Sequence, residues 1–142
     1  MQLSRDLTNV GCPPAKSHIL QFPFFIKKSL MSHFIRGYFD GDGHISFSKN
    51  SYRIGFTCGS ISFIRDLQSF IYNEIGIKIK CYTNKYNKCK VLQTSNQKSV
   101  RKLLTYLYSN SSFSMKRKRE KAEAFLAGKG GMWSYINYQM GK

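Results

Sequence analysis

Residues 34–45 read FIRGYFDGDGHI. Two carboxylates, Asp40 and Asp42, stand between glycines at the end of an apolar run. Just upstream, Leu30, Met31, Phe34, Ile35, Tyr38 and Phe39 fall in pairs four apart. That spacing predicts a helix over 29–41, with Ser29 as its N-cap. Three readings of the acids compete: a calcium loop, an Asp-Gly turn, and a helix end that carries chemistry. The calcium loop fails in register. With Asp40 and Asp42 at its third and fifth positions and Gly43 at its sixth, Tyr38 occupies the first and Lys49 the twelfth, where carboxylates are required. The turn remains open, because Asp and Gly commonly begin hairpins. The helix end raises a conflict. Its dipole places negative potential where the two acids sit, costing about 0.3–1 kcal/mol each when exposed. Carboxylates beside unpaired terminal carbonyls suit a hard divalent cation.

Outward from this stretch the alternation changes period. HISFS at 44–48 and YRIGFTC at 52–58 alternate apolar and polar residues around a KNS turn, which predicts a hairpin. Ile61, Ile64, Leu67, Phe70 and Ile71 return to helical spacing, and Gly76 ends that helix. A second hairpin follows, IKIKCYT at 77–83 and CKVLQTS at 89–95. Helices near 97–108 and from Ser114 to about Leu126 complete the order, with Gly128 as the last stop. The expected class is α+β: helix, hairpin, helix, hairpin, helix, helix, with an antiparallel sheet. Residues 1–28, with Pro13, Pro14 and Pro23, read as an extended lead-in to a single domain over 29–142. Trp133 and Tyr135 in the final segment read as packing residues.

The chain has 142 residues, 42% of them apolar, enough for a substantial core. Twenty-three Lys and Arg against seven Asp and Glu give a net charge of +16. Such an imbalance repels itself unless an anion is bound, and nucleic acid is the expected partner. No apolar run reaches the roughly 20 residues of a membrane span. The opening MQLSRDLTNVGCPP lacks a basic-then-apolar leader, so an intracellular protein is expected. Cys12, Cys58, Cys81 and Cys89 form no C-x-x-C pair, and His18, His33 and His44 complete no zinc pattern. Cys58 and Cys81 are expected on inward strand faces as free thiols.

A second conflict mirrors the first. MKRKREK at 115–121 places cations at a helix N-terminus, where the dipole disfavours them and free N–H groups favour phosphate. An acidic, metal-binding end and a basic, phosphate-binding end together suit phosphodiester chemistry. The hairpins are expected to present a DNA-binding face. His44, Ser46, Ser48, Lys49, Arg53 and Thr57 come from the first, and Lys78, Lys80, Tyr82, Lys90 and Thr94 from the second. A two-stranded ribbon enters a major groove. Gly37 and Gly41, four apart on one helix face, allow close approach of another backbone.

IRGYFDGDG at 35–43 resembles the LAGLIDADG motif, and KSHILQFP resembles the segment that precedes the second motif in long members of that family. The resemblance implies a homing endonuclease that cuts double-stranded DNA with Mg²⁺ and leaves 3′ overhangs. It implies Asp42 as metal ligand, with the Gly41 carbonyl beside it, and Asp40 as the less essential acid. Lys118, or else Lys116, matches the active-site lysine, and Ser60 is the candidate for positioning water. A single motif implies a homodimer through Gly37, Gly41 and Phe34, or the second half of a two-motif chain. RNA-binding maturases and DNA-binding proteins that have lost cleavage are the alternatives within the same resemblance.

Overall fold

The stripe that predicts the first helix is the one it buries. Met31, Ile35, Arg36 and Phe39 face inward along α1 (Met31–Asp42), while His33, Gly37 and Gly41 face out. The computed structural model describes residues 18–48, 51–86 and 88–128, with Arg5, Thr8 and Asn9. Ser29 does not cap α1. It lies in a 3-10 turn, Lys28–Leu30, that winds directly into the helix, the Met31 N–H bonding to the Lys28 carbonyl. After α1 come β1 (Gly43–Ser48), β2 (Ser51–Cys58), α2 (Ile61–Ile75), β3 (Lys80–Thr83), β4 (Lys90–Thr94), α3 (Gln97–Tyr108) and α4 (Lys116–Leu126). Gly76 ends α2 at φ +67°, the left-handed conformation that glycine adopts without a Cβ penalty.

The two hairpins pack edge to edge as one antiparallel sheet in the order β1-β2-β4-β3. Ile45 pairs with Ile54, Ile54 with Thr94, and Phe56 with Leu92. These residues form the inner face, which the helices cover. The register corrects one expectation. Lys90 and Thr94 share the side of Leu92, toward the helices, and Thr94 is only 9% exposed. Val91 and Gln93 instead lie on the open face, opposite Thr57 and Gly55. Adjacent apolar residues at 91 and 92 leave the alternation of this strand ambiguous, and a slip of one residue exchanges its faces.

The third strand is also shorter than its alternation predicts. Ile77 and Ile79 are buried before the ladder begins, and Gln68 Nε2 donates to the Ile79 carbonyl at 2.7 Å. Lys78 accordingly lies beside α2, its ammonium 5.9 Å from the Tyr72 ring, and is not part of the sheet face. Phe22 belongs to the core although it lies in the lead-in. It is 4% exposed and meets the rings of Phe34, Phe63 and Phe70 at 6.2, 5.8 and 5.5 Å.

The passage from α1 to β1 turns at Gly43, whose N–H bonds to the Phe39 carbonyl. A Cβ on Gly43 would fall inside the Phe39 ring and against its carbonyl oxygen. Phe39 is fully buried, so neither can give way. Gly43→Ala is expected to lower stability by about 2–3 kcal/mol, read as a lower urea midpoint; an unchanged midpoint would show that the turn relaxes.

Candidate active site and nucleic-acid face

The two electrostatic conflicts of the sequence answer each other. Asp40 Oδ2 accepts from the backbone N–H of Met115, the N-cap residue of α4, at 2.8 Å. Its Oδ1 accepts from the Tyr108 hydroxyl at 2.8 Å. In return Lys118, from the first turn of α4, reaches the C-terminus of α1. Its Nζ donates to the carbonyls of Phe39, Asp40 and Gly43 at 2.5, 2.8 and 2.5 Å. Three protons meet three oxygens, which satisfies an ammonium completely. Burial, at 4% exposure, pulls the Lys118 pKa down, and the nearby Asp40 carboxylate opposes that shift. Burial and the bond to Asp40 push the Tyr108 hydroxyl up, so it stays a donor. Each helix end thus supplies the cap its partner lacks.

This arrangement separates the two acids. Asp40 is committed to Tyr108 and Met115, and it positions α4 rather than facing solvent. Asp42, the last residue of α1, is exposed and makes no hydrogen bond to the described residues. The expectation that Lys118 meets a phosphate is corrected in part, because all its protons are on carbonyls. Lys116, two residues earlier, is exposed. Ser60 is corrected outright as a water-positioning group. It is 1% exposed and caps α2, accepting from the Phe63 N–H at 3.3 Å while its hydroxyl donates to the Leu20 carbonyl at 2.7 Å. Arg36, unremarked in the sequence, is buried and donates to the carbonyls of Leu107 and Phe113, tying α1 to the α3–α4 connection.

Among the described residues Gly37 and Gly41 meet nothing within 4 Å of an added Cβ, so none of them covers this face of α1 at those two positions. Phe34 is half-buried against Phe22. The residues present fit a hard cation. An exposed carboxylate with no hydrogen bond to the described residues, at a helix C-terminus beside the Gly41 carbonyl, offers the oxygen donors that Mg²⁺ takes together with water and phosphate. Among the described residues no cluster of three or more His, Cys, Asp or Glu exists, and no helix is long and apolar enough to cross a membrane.

The open sheet face carries His44 and Ser46 from β1, Arg53 and Thr57 from β2, and Lys80 and Tyr82 from β3, as the sequence predicts. The six acids among the described residues all lie in helices, so this face carries cations without carboxylates. Gln93, missed in the sequence, stands at its centre. Its Oε1 faces His44 Nε2 at 3.0 Å and accepts from the Tyr82 hydroxyl at 3.1 Å. Burial lowers the pKa of His44, with Lys118 and Arg53 adding to the shift and the bond to Gln93 opposing it. Lys49, the side chain of Ser48, Cys12, Trp133 and Tyr135 lie outside the described residues. Cys58 is buried as expected, whereas Cys81, on the edge strand, is exposed.

Comparison with known proteins places this geometry. The chain is 34% identical over 100 residues to a probable translation initiation factor IF-2 of Thermococcus kodakarensis, covering 70% of this chain and 8% of that protein. It is 31% identical over 128 residues to a glutamine–fructose-6-phosphate aminotransferase (isomerizing) of Methanocaldococcus jannaschii, covering 86% of this chain and 11% of that protein. The chain therefore spans about a tenth of these curated relatives. The fold matches the archaeal intron-encoded homing endonuclease I-Vdi141I, solved in complex with DNA, with a TM-score of 0.53 at 17% identity over 72% of this chain and 73% of that one. The expected α+β architecture is thus the LAGLIDADG homing-endonuclease fold. The model of the LAGLIDADG-like domain matches residues 29–108, more than half of the sequence, and the chain belongs to that family.

Proposed function

We propose that this protein is a site-specific double-stranded DNA endonuclease of the homing type, Mg²⁺-dependent, leaving 3′ overhangs and acting as two copies joined through α1. The observation that carries this reading is Asp42: an exposed carboxylate with no hydrogen bond to the described residues, held at the electrostatically unfavourable end of a helix, beside a cationic sheet face that carries no acid among the described residues. Asp42 and the Gly41 carbonyl are the residues that would hold the metal. Bound there, Mg²⁺ supplies polarisation of a phosphoryl oxygen and activation of water. Lys118 fixes the carbonyls around the tip of α1, and Asp40 fixes the start of α4. Together they hold Asp42 and Lys116 in place. Lys116 offers an exposed ammonium to developing phosphate charge. Arg53 and Lys80 contact the DNA backbone or guanine edges, and Ser46 and Thr57 add neutral contacts. The open Gly37–Gly41 face admits a second copy, which brings a second Asp42 for the second strand.

The curated relatives support a modular reading. One stretch matches two proteins of unrelated named activity, each over about a tenth of its length. Such a distribution suits an independent unit carried within larger chains.

The test is selection of cleaved sites from a randomised duplex library with Mg²⁺, with sedimentation of the complex. A defined cleaved sequence bound by two copies is expected; no cleavage of any duplex would overturn the reading. Affinity for the selected site is expected to fall on the order of a thousandfold between about 50 and about 200 mM salt, as several phosphate contacts require. A flat response in a filter-binding titration would contradict the cationic sheet as the binding face.

A further inference from the structure

We propose that Gln93 reads a base in the major groove, and that His44 and Tyr82 lock its amide so that it offers donors only, selecting guanine or thymine over adenine. This inference rests on the sheet being the DNA-binding face.

An unconstrained glutamine pairs with adenine through both ends of its amide. Its oxygen accepts from N6 and its nitrogen donates to N7. That pairing needs a free oxygen. Here Oε1 faces two donors, the Tyr82 hydroxyl at 3.1 Å and the ring nitrogen of His44 at 3.0 Å. An amide oxygen has two lone pairs, and both are engaged. Because Oε1 can only accept, Nε2 of His44 carries its proton. The two N–H groups of Gln93 make no hydrogen bond to the described residues. Guanine presents two acceptors to such a group, thymine one, and adenine one beside a repelling amine.

The backbone is built around this contact. His44 and Gln93 lie on β1 and β4, with β2 between them. They meet across Gly55, which pairs with both. A Cβ there would lie 2.6 Å from His44 Cε1 and 2.9 Å from its Nε2. Any side chain at 55 closes the path. Glycine inside a strand weakens it, and close approach of another group is the usual compensation. Lys80 pairs with Gln93 on the far side and adds a cationic residue to the same face.

The experiment is selection of bound sites from a randomised duplex library by wild type, Gln93→Leu, Gln93→Glu and the double variant His44→Ala/Tyr82→Phe, with a thermal melt of each. Wild type is expected to enrich a site in which one position per half is G or T. Gln93→Leu flattens that position by about tenfold. Gln93→Glu moves it toward cytosine, whose amine donates. The double variant frees Oε1 and raises adenine there by about tenfold. A Gln93→Leu site identical to wild type overturns the inference, as does adenine at the position that flattens. Wild type enriching no sequence would overturn the DNA-binding reading itself, an outcome distinct from enrichment that ignores Gln93.

Discussion

Asp42→Asn is expected to abolish Mg²⁺-dependent cleavage, a loss of about a thousandfold or more, while leaving the fold at least as stable as wild type. The two halves of this expectation come from one geometry. Asp42 is exposed at the negative end of the α1 dipole and forms no hydrogen bond to the described residues. Removing its charge relieves a cost of about 0.3–1 kcal/mol. The amide keeps the shape of the side chain, so DNA binding through the sheet persists. Cleavage kinetics beside a thermal melt check the result. A variant that loses both stability and activity would show that the acid is structural, and the endonuclease reading would lose its main support.

Lys118→Met carries the second large effect, and its signature is the reverse. Stability is expected to fall by about 3 kcal/mol without DNA or metal present, because the buried carbonyl of Phe39 and the partly buried carbonyls of Asp40 and Gly43 lose their common donor. The methyl terminus fills the volume and keeps the stem packed, so the loss reports the ammonium and not a cavity. Cleavage falls with it, since the tip of α1 is no longer fixed. Urea unfolding of the free protein decides the matter. If Lys118 acted chiefly as a phosphate ligand, the free variant would keep its midpoint and lose activity alone. Lys118 thus acts as a positioning residue in this structure, with Lys116 left facing solvent.

Much of the architecture was legible in local spacing. The pairs four apart in FIRGYFD place α1, the alternation in YRIGFTC places β2, and Gly76 and Gly128 mark helix ends at φ +67° and +76°. The site was half legible. DGDG singled out the acids, and the charge of +16 pointed to an anionic partner. Acids and bases stand at the electrostatically wrong ends of their helices in the sequence itself, but each helix taken alone calls for a metal or a phosphate as the remedy, because the dipole rule concerns one helix at a time.

The amino-acid sequence alone determined the order of helices and hairpins, the glycine face of α1, and a cationic chain in need of an anion. These depend on residues a few positions apart, which periodicity records. Tertiary structure alone decided which acid is free, where Lys118 goes and which side of β4 faces out. Asp40 is capped 75 residues away by Met115, and Lys118 reaches back 79 residues to Phe39. The side of β4 depends on its pairing with β2, where Leu92 meets Phe56 and leaves Gln93 over Gly55. A strand with adjacent apolar residues fits either face by itself. Only the partner strand fixes the register, and the register placed Gln93 between His44 and Tyr82.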